Sequence, residues 1–309
     1  MLQIMLGAIS LGLLWAVMTI GVYITFRILN IADLTVEGSI AMGAAIAAYS
    51  IYNGANPYAA TAMSLLGGMA AGFATGILHT LLKIPALLSG ILTMIALYSV
   101  NLRIMGKANL SLLRMDTVYS VFENTGLNRT NSVIALGIIF VLSLVGILYW
   151  FFGTEIGCAI RATGNNPQMS RAQGINTNAM TIIGLVISNG LVAVSGALIA
   201  QSQSFADVQM GIGSIVIGLA SVIIGEVLFG KKNFFSRLIS LVSGAITYRI
   251  IIALVLKLGM PANDLKLFTA ITVAIALSLP VFRSYLRPLK KNSKGGVSCA
   301  DSQRIIQDI

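Results

Sequence analysis

Charge is scarce in this sequence. Only 10% of its 309 residues are charged, where a soluble globular chain carries about 25%, and so few charged side chains cannot cover the surface that a soluble fold of this length presents to water. Water is therefore excluded as the main solvent. Cysteine is scarcer still: only Cys158 and Cys299 are present, too few for a disulfide framework, and both are expected as free thiols in a reducing compartment. The one histidine, His79, has no cluster of potential ligands around it and reads as structural. Nothing in the chain resembles a metal cluster or a catalytic triad, so an enzyme is not expected and no cofactor is implied. The start of the chain, Met1 to Met5, has no basic n-region, and no small-residue cleavage site follows a short apolar run; the segment reads as a retained first helix. Gly225 to Lys232 half-matches a phosphate-binding loop, but Lys232 stands where Ser or Thr should meet magnesium. The match is chance, and any ATP that drives this protein binds another chain.

What is present is apolar: 57% of the residues are hydrophobic. A bilayer core about 30 Å thick needs roughly 20 apolar residues at about 1.5 Å rise each. Nine runs approach that length, at Leu2–Phe26, Ser39–Tyr52, Pro57–Leu82, Ile84–Leu102, Ser132–Phe152, Ala179–Gln201, Gly211–Phe229, Leu238–Leu256 and Leu267–Phe282. The fold class expected is an all-α integral membrane protein of about nine transmembrane helices. The stretch Arg103–Asn131 holds Lys107, Arg114, Asp116, Glu123 and Arg129 with several turn formers; it is the longest loop and must lie outside hydrocarbon.

The formal net charge of +10 reports topology here rather than a nucleic-acid partner, because basic residues collect on the cytosolic side of membrane proteins. Six of them lie between Arg283 and Arg304, so the C-terminus is expected in the cytosol. With nine crossings the N-terminus then lies outside, and the segments around Arg27, Lys83, Arg161 with Arg171, and Lys231–Arg237 face the cytosol. The bias agrees with the rule, although Arg103, Lys107, Arg114, Arg129, Lys257 and Lys266 fall outside. Ser39–Tyr52 is short for a crossing, and Asn30–Gly38 before it is expected to enter the membrane as the unwound part of a broken second helix, which backbone tolerates only against protein or a water-filled path. In the third run Gly68, Gly72 and Gly76 make two overlapping GxxxG steps, a face for close helix packing.

Local punctuation is sharpest between Gly153 and Asn178. Asn166 suits an N-cap, Pro167 the first helical position, and Gly174 the left-handed residue that ends a helix. A two-turn helix is predicted between two spans on the cytosolic side. It fits either a coupling helix that passes force from an ATPase or an ordinary loop helix.

Ionisable residues inside apolar runs are costly and usually face a pathway or a partner. Arg249 lies about 18 Å of helix beyond Arg237, near the middle of the bilayer. It reads equally as a site for a substrate carboxylate and as half of an ion pair with Asp33 or Glu37. Those two carboxylates, four apart, would share a helix face and repel, which predicts a nonhelical or solvated setting, either a cytosolic turn or a substrate site. Glu226 is expected to pair at the interface with Lys231 and Lys232.

The order Ile28–Ala44, then Arg161–Pro167 through Gly174–Thr177 to Ser195–Ala200, then Ile217–Gly225, resembles the permeases of branched-chain amino acid and ribose-type ABC importers over most of the chain. Glu37 and Glu226 are more similar to uptake permeases for aromatic amino acids such as tryptophan or tyrosine. The resemblance implies a transmembrane permease domain over residues 1–288 and a cytosolic basic tail over 289–309, in a multi-pass protein of the bacterial inner membrane. It implies import of a small solute, an amino acid or related carboxylate, by a permease paired with a second copy, two cytosolic ATPase chains and an external solute-binding protein. Arg161, Thr163, Gly164, Asn165, Asn166, Pro167, Arg171 and Gly174 would dock on the ATPase, Arg103–Asn131 would meet the binding protein, and Asn30, Asp33, Glu37 and Arg249 would border the path. The competing class is an ion-coupled secondary transporter, which should show two halves with matching broken spans; one is visible.

Overall fold

A computed structural model describes residues 2–123, 126, 128–230 and 233–257, with single positions at 267, 270, 271, 274 and 278. The tail 289–309, Cys299, Lys231 and Lys232, and most of the ninth apolar run lie outside the described residues.

The described chain is helical almost throughout. In order come α1 (Leu2–Tyr23), continued by a π-helical turn (Ile24–Ile28), α2 (Thr35–Tyr52), α3 (Pro57–Thr80), α4 (Ala86–Met105), β1 (Asn109–Ser111), α5 (Ser120–Glu123), α6 (Arg129–Gly153), α7 (Glu155–Asn165), α8 (Pro167–Ala172), α9 (Thr177–Gln203), β2 (Phe205–Asp207), α10 (Ser214–Phe229) and α11 (Phe234–Lys257). Eight of the nine apolar runs coincide with helices. Six of those helices are long and apolar enough to cross a membrane: α1 with its π turn, α3, α4, α6, α9 and α11. This is the architecture of a multi-pass membrane protein. Two helices stand apart: α10 is apolar but shorter, and α2 carries Glu37 in its first turn.

Helix α9 is the most buried of the six spans, enclosed by α1, α2 and α3. Small residues make that enclosure possible. A Cβ at Gly68 or Gly72 would lie 2.3 Å from the carbonyl oxygen of Asn189 or Leu185, and one at Gly43 of α2 would lie 1.9 Å from that of Ala193. The glycine face expected of α3 is thus a backbone-to-backbone seam, which is how helices associate where lipid offers no hydrophobic driving force. The outer helices face the other way: Leu87, Leu88 and Leu92 on α4, and Ile138, Ile139, Leu142 and Ile147 on α6, are exposed, as surfaces solvated by acyl chains should be.

The long loop after α4 is folded. β1 pairs antiparallel with β2, Asn109 opposite Asp207. Tyr119 Oη donates to Leu198 O at 3.0 Å and the Val118 amide to Gln201 Oε1 at 3.0 Å. Arg129 donates to the carbonyls of Gln201 and Ser202 and to Ser204 Oγ. One end of the bundle is thereby closed by a small cap, and α7 and α8 stand at the other.

Candidate functional site

The chain between the π turn and α2 turns back into the bundle. Leu29 packs on Gly184 of α9, and Asp33 reaches Asn189, about 18 Å from the start of that helix. Asp33 is buried, at 2% exposure. Its Oδ1 accepts from the Thr35 amide at 2.9 Å and its Oδ2 from Asn189 Nδ2 at 2.8 Å. Asn189 Oδ1 in turn accepts from Ser39 Oγ at 2.7 Å. Beside them the hydroxyls of Thr35 and Thr75 meet at 2.7 Å, and Thr75 donates to Thr93 at 2.9 Å. These bonds tie α2, α3, α4 and α9 together at the helix start. The carboxylate also sits at the N-terminal end of α2, where the helix dipole favours negative charge.

The expected unwound stretch is therefore shorter than Asn30–Gly38. Asp33 is nonhelical, but Thr35 onward is helix, so Glu37 lies in its first turn. The two carboxylates avoid each other by turning to different partners. Glu37 Oε1 accepts from the amide of Gly213 at 3.0 Å, just before α10. Two helix N-termini thus meet inside the bundle across one carboxylate. Glu37 is half-buried, at the edge of a cleft of about 500 Å³ shared with Met94, Ile95, Tyr98 and Asn101 of α4 and with Val208 and Ile212.

Arg249 joins neither carboxylate. Its guanidinium lies over the Trp15 ring at 4.0 Å, between α1 and α11, and its Nε is buried without a hydrogen-bond partner. Of the two readings of Arg249, the ion pair with Asp33 or Glu37 does not form among the described residues: both acids belong to the start of α2, whereas Arg249 packs against α1 from α11. Asn30, with a φ of +57°, is exposed on the α7–α8 side. The four residues expected along a path are thus spread over three places.

The elbow of α7 and α8 keeps its expected punctuation. Asn166 Oδ1 accepts from the Met169 amide at 3.0 Å, Pro167 opens α8, and Gly174 has a φ of +81°. Arg171 Nε donates to Thr177 Oγ1 at 2.8 Å, fixing the exit into α9. Arg161 lies over the Phe234 ring at 5.3 Å. A Cβ at Gly164 would fall 1.7 Å from the carbonyl oxygen of Ile28, so α7 touches the end of α1 directly. Thr163, Gly164, Asn165, Pro167 and Arg171 line a cavity of about 730 Å³ with Asn30 and Lys83; Asn165 and Asn166 are exposed.

Sequence reasoning missed several of these features. Glu226 pairs with Arg27 at 2.5 Å, a pairing across 199 positions that no local pattern signals; Lys231 and Lys232, the partners expected for it, lie outside the described residues. Helix α7 is too short and mixed to stand out from the polar stretch that contains it. Asn101 and Asn189 were missed as well, although an amide inside an apolar run is a signal that asks for a partner.

The profile described as "Branched-chain amino acid transport system / permease component" matches residues 4–277. The chain is 44% identical over 277 residues to a tyrosine transport system permease protein of Clostridioides difficile (strain R20291), covering 89% of this chain and 91% of that one. It is 33% identical over 281 residues to an uncharacterized protein of Rickettsia prowazekii (strain Madrid E), covering 90% and 98%. An autoinducer 2 import system permease protein of Photorhabdus luminescens shares 29% identity over 169 residues, 53% of this chain and 48% of that one.

Proposed function

We propose, from the premise that this chain belongs to the permease components of branched-chain amino acid transport systems, that it carries an aromatic amino acid, with L-tyrosine the first candidate, across the bacterial cell membrane. Family membership makes it the membrane subunit of an ATP-driven importer and not an enzyme. The observation that carries the choice of solute is the end-to-end relationship with a tyrosine permease at 44% identity.

In this reading the α7–α8 elbow faces the cytosol and is the part gripped by the ATPase, through Arg161, Thr163, Gly164, Asn165, Asn166, Pro167, Arg171 and Gly174. Its capped, rigid form and the direct contact of Gly164 with the end of α1 support a role in passing motion to the spans. The β1–β2 cap faces outward toward a solute-binding protein. Two copies of the chain pair around the path, each with about nine crossings, its N-terminus outside and its C-terminus in the cytosol. Asn30, Asp33, Glu37 and Arg249 border that path at different depths.

The test is reconstitution of the permease with its ATPase and binding protein in vesicles, followed by uptake of labelled L-tyrosine. Uptake that requires ATP and all three components is expected. Transport by the permease chain alone would sink the reading.

A further inference from the structure

The cleft beside Glu37 has the chemistry of a site for an ammonium group. Three features of its lining point the same way. The Glu37 carboxylate spends one oxygen on the Gly213 amide, and among the described residues no cationic side chain pairs with it. Asn101 is 1% exposed. Its Nδ2 donates to Gly38 O at 3.3 Å, yet its Oδ1 is buried with no hydrogen-bond partner, a state that folded proteins rarely leave uncompensated. Glu37 lies deep: the adjacent Gly38 packs on Met94 and Leu97, about halfway along α4. A carboxylate at that depth is too costly against lipid and must face a water-filled path or a ligand.

Two acceptor groups at one cleft, one of them charged, call for a donor-only cation. A primary ammonium brings three N–H donors and positive charge. A bare metal ion would need six or more oxygens at Ca²⁺ size, or near-ideal octahedral geometry at Mg²⁺ size, and the cleft lining does not provide them. The remaining wall is formed by Met94, Ile95, Tyr98 and Ile212, which suits a large apolar or aromatic side chain through ring and thioether contacts. No Lys or Arg lines the cleft, so a ligand's carboxylate finds no cationic partner there.

We infer that this cleft is a resting site for the solute within the membrane, where Glu37 and Asn101 hold the α-ammonium group of an amino acid and Tyr98 with its apolar neighbours takes the aromatic side chain. The inference rests on the transport reading above. It predicts recognition of the amine end rather than the acid end.

The test uses the permease–ATPase complex in vesicles without the binding protein, with labelled L-tyrosine as probe. Tyramine, which keeps the ammonium, should displace the label, and 3-(4-hydroxyphenyl)propionate, which keeps only the carboxylate, should not. Glu37→Gln retains the acceptor for Gly213 and removes the charge, so binding should weaken about tenfold or more, and Glu37→Asp should recover part of it. Tyr98→Ala, at a side chain 48% exposed, should weaken binding about threefold or more and serves if Glu37→Gln does not assemble. Equal displacement by both analogues overturns the assignment. So does unchanged affinity in the Glu37→Gln complex, or in Tyr98→Ala where that variant stands in. So does a wild-type complex that imports L-tyrosine with its binding protein but shows no binding without it. Failure of the complete wild-type system to import any amino acid overturns instead the transport reading, and this inference with it.

Discussion

The start of α2 and the α7–α8 elbow both use asparagine and threonine, to opposite ends. At the start of α2 the polar groups are buried and spend themselves on one another: Asp33 on Thr35 and Asn189, Asn189 on Ser39, Thr75 on Thr35 and Thr93. At the elbow, Asn166 and Arg171 stabilise their own short helix and its exit, while Asn165, Asn166 and Pro167 stay exposed. A closed polar network fixes helix positions and resists change. An open one keeps its shape and leaves a surface for another chain. Damage to the first should therefore cost the fold, and damage to the second should cost transport alone.

The sharpest break in that comparison is Gly43→Val. A side chain there meets the Ala193 carbonyl, which a helix backbone cannot move aside, so we expect no monodisperse protein on size exclusion in detergent. Gly164→Val makes an equally close contact, with Ile28 O, but at the periphery. The protein should still fold and elute normally, with ATP-driven uptake reduced about tenfold or more, because a displaced elbow misplaces the coupling contact. If both variants fail to fold, the elbow belongs to the structural core and the comparison is wrong.

Smaller effects refine it. Asp33→Ala strands the Asn189 amide and the Thr35 N–H, each a buried donor, and should cost about 3 kcal/mol, read as a lowered thermal midpoint in detergent. Asn189→Ala in the same chain should cost less than the two changes summed, because it removes one of the stranded donors. An additive result would mean that the two residues are not coupled. Least affected should be Asn166→Ala, which removes one helix cap worth about 1 kcal/mol. Global stability should stay within about a degree, while uptake falls a few fold as the first turn of α8 frays.

Local features were legible in proportion to how local they are. The caps of α8 depend on residues within a few positions of each other, and Asn166, Pro167 and Gly174 stand where their chemistry places them. The GxxxG face of α3 was legible for the same reason, though its partner, α9, was not. The pairing of Arg27 with Glu226 and the strand pairing of 109–111 with 205–207 join distant segments. Three-residue strands have no periodicity to detect, and one arginine has many acids to choose from. Asp33 and Glu37 were recognised as a pair of interest, and the repulsion they would feel on one helix face predicted a nonhelical or solvated setting; Asp33 is nonhelical, whereas the helix that begins between them takes Glu37 into its first turn and sends each to its own neighbours.

The sequence by itself determined the solvent, the helical class, the eight described apolar helices and the short capped element between spans, because apolar composition, charge scarcity and capping act over short distances along the chain. Only the tertiary structure decided that α2 and α10 begin inside the bundle with Glu37 between their ends, that Asp33 is sealed by Asn189, and that Arg249 rests on Trp15 away from both acids. Those outcomes depend on which glycine seams close together, and close packing is a property of surfaces meeting in space, which no single segment carries.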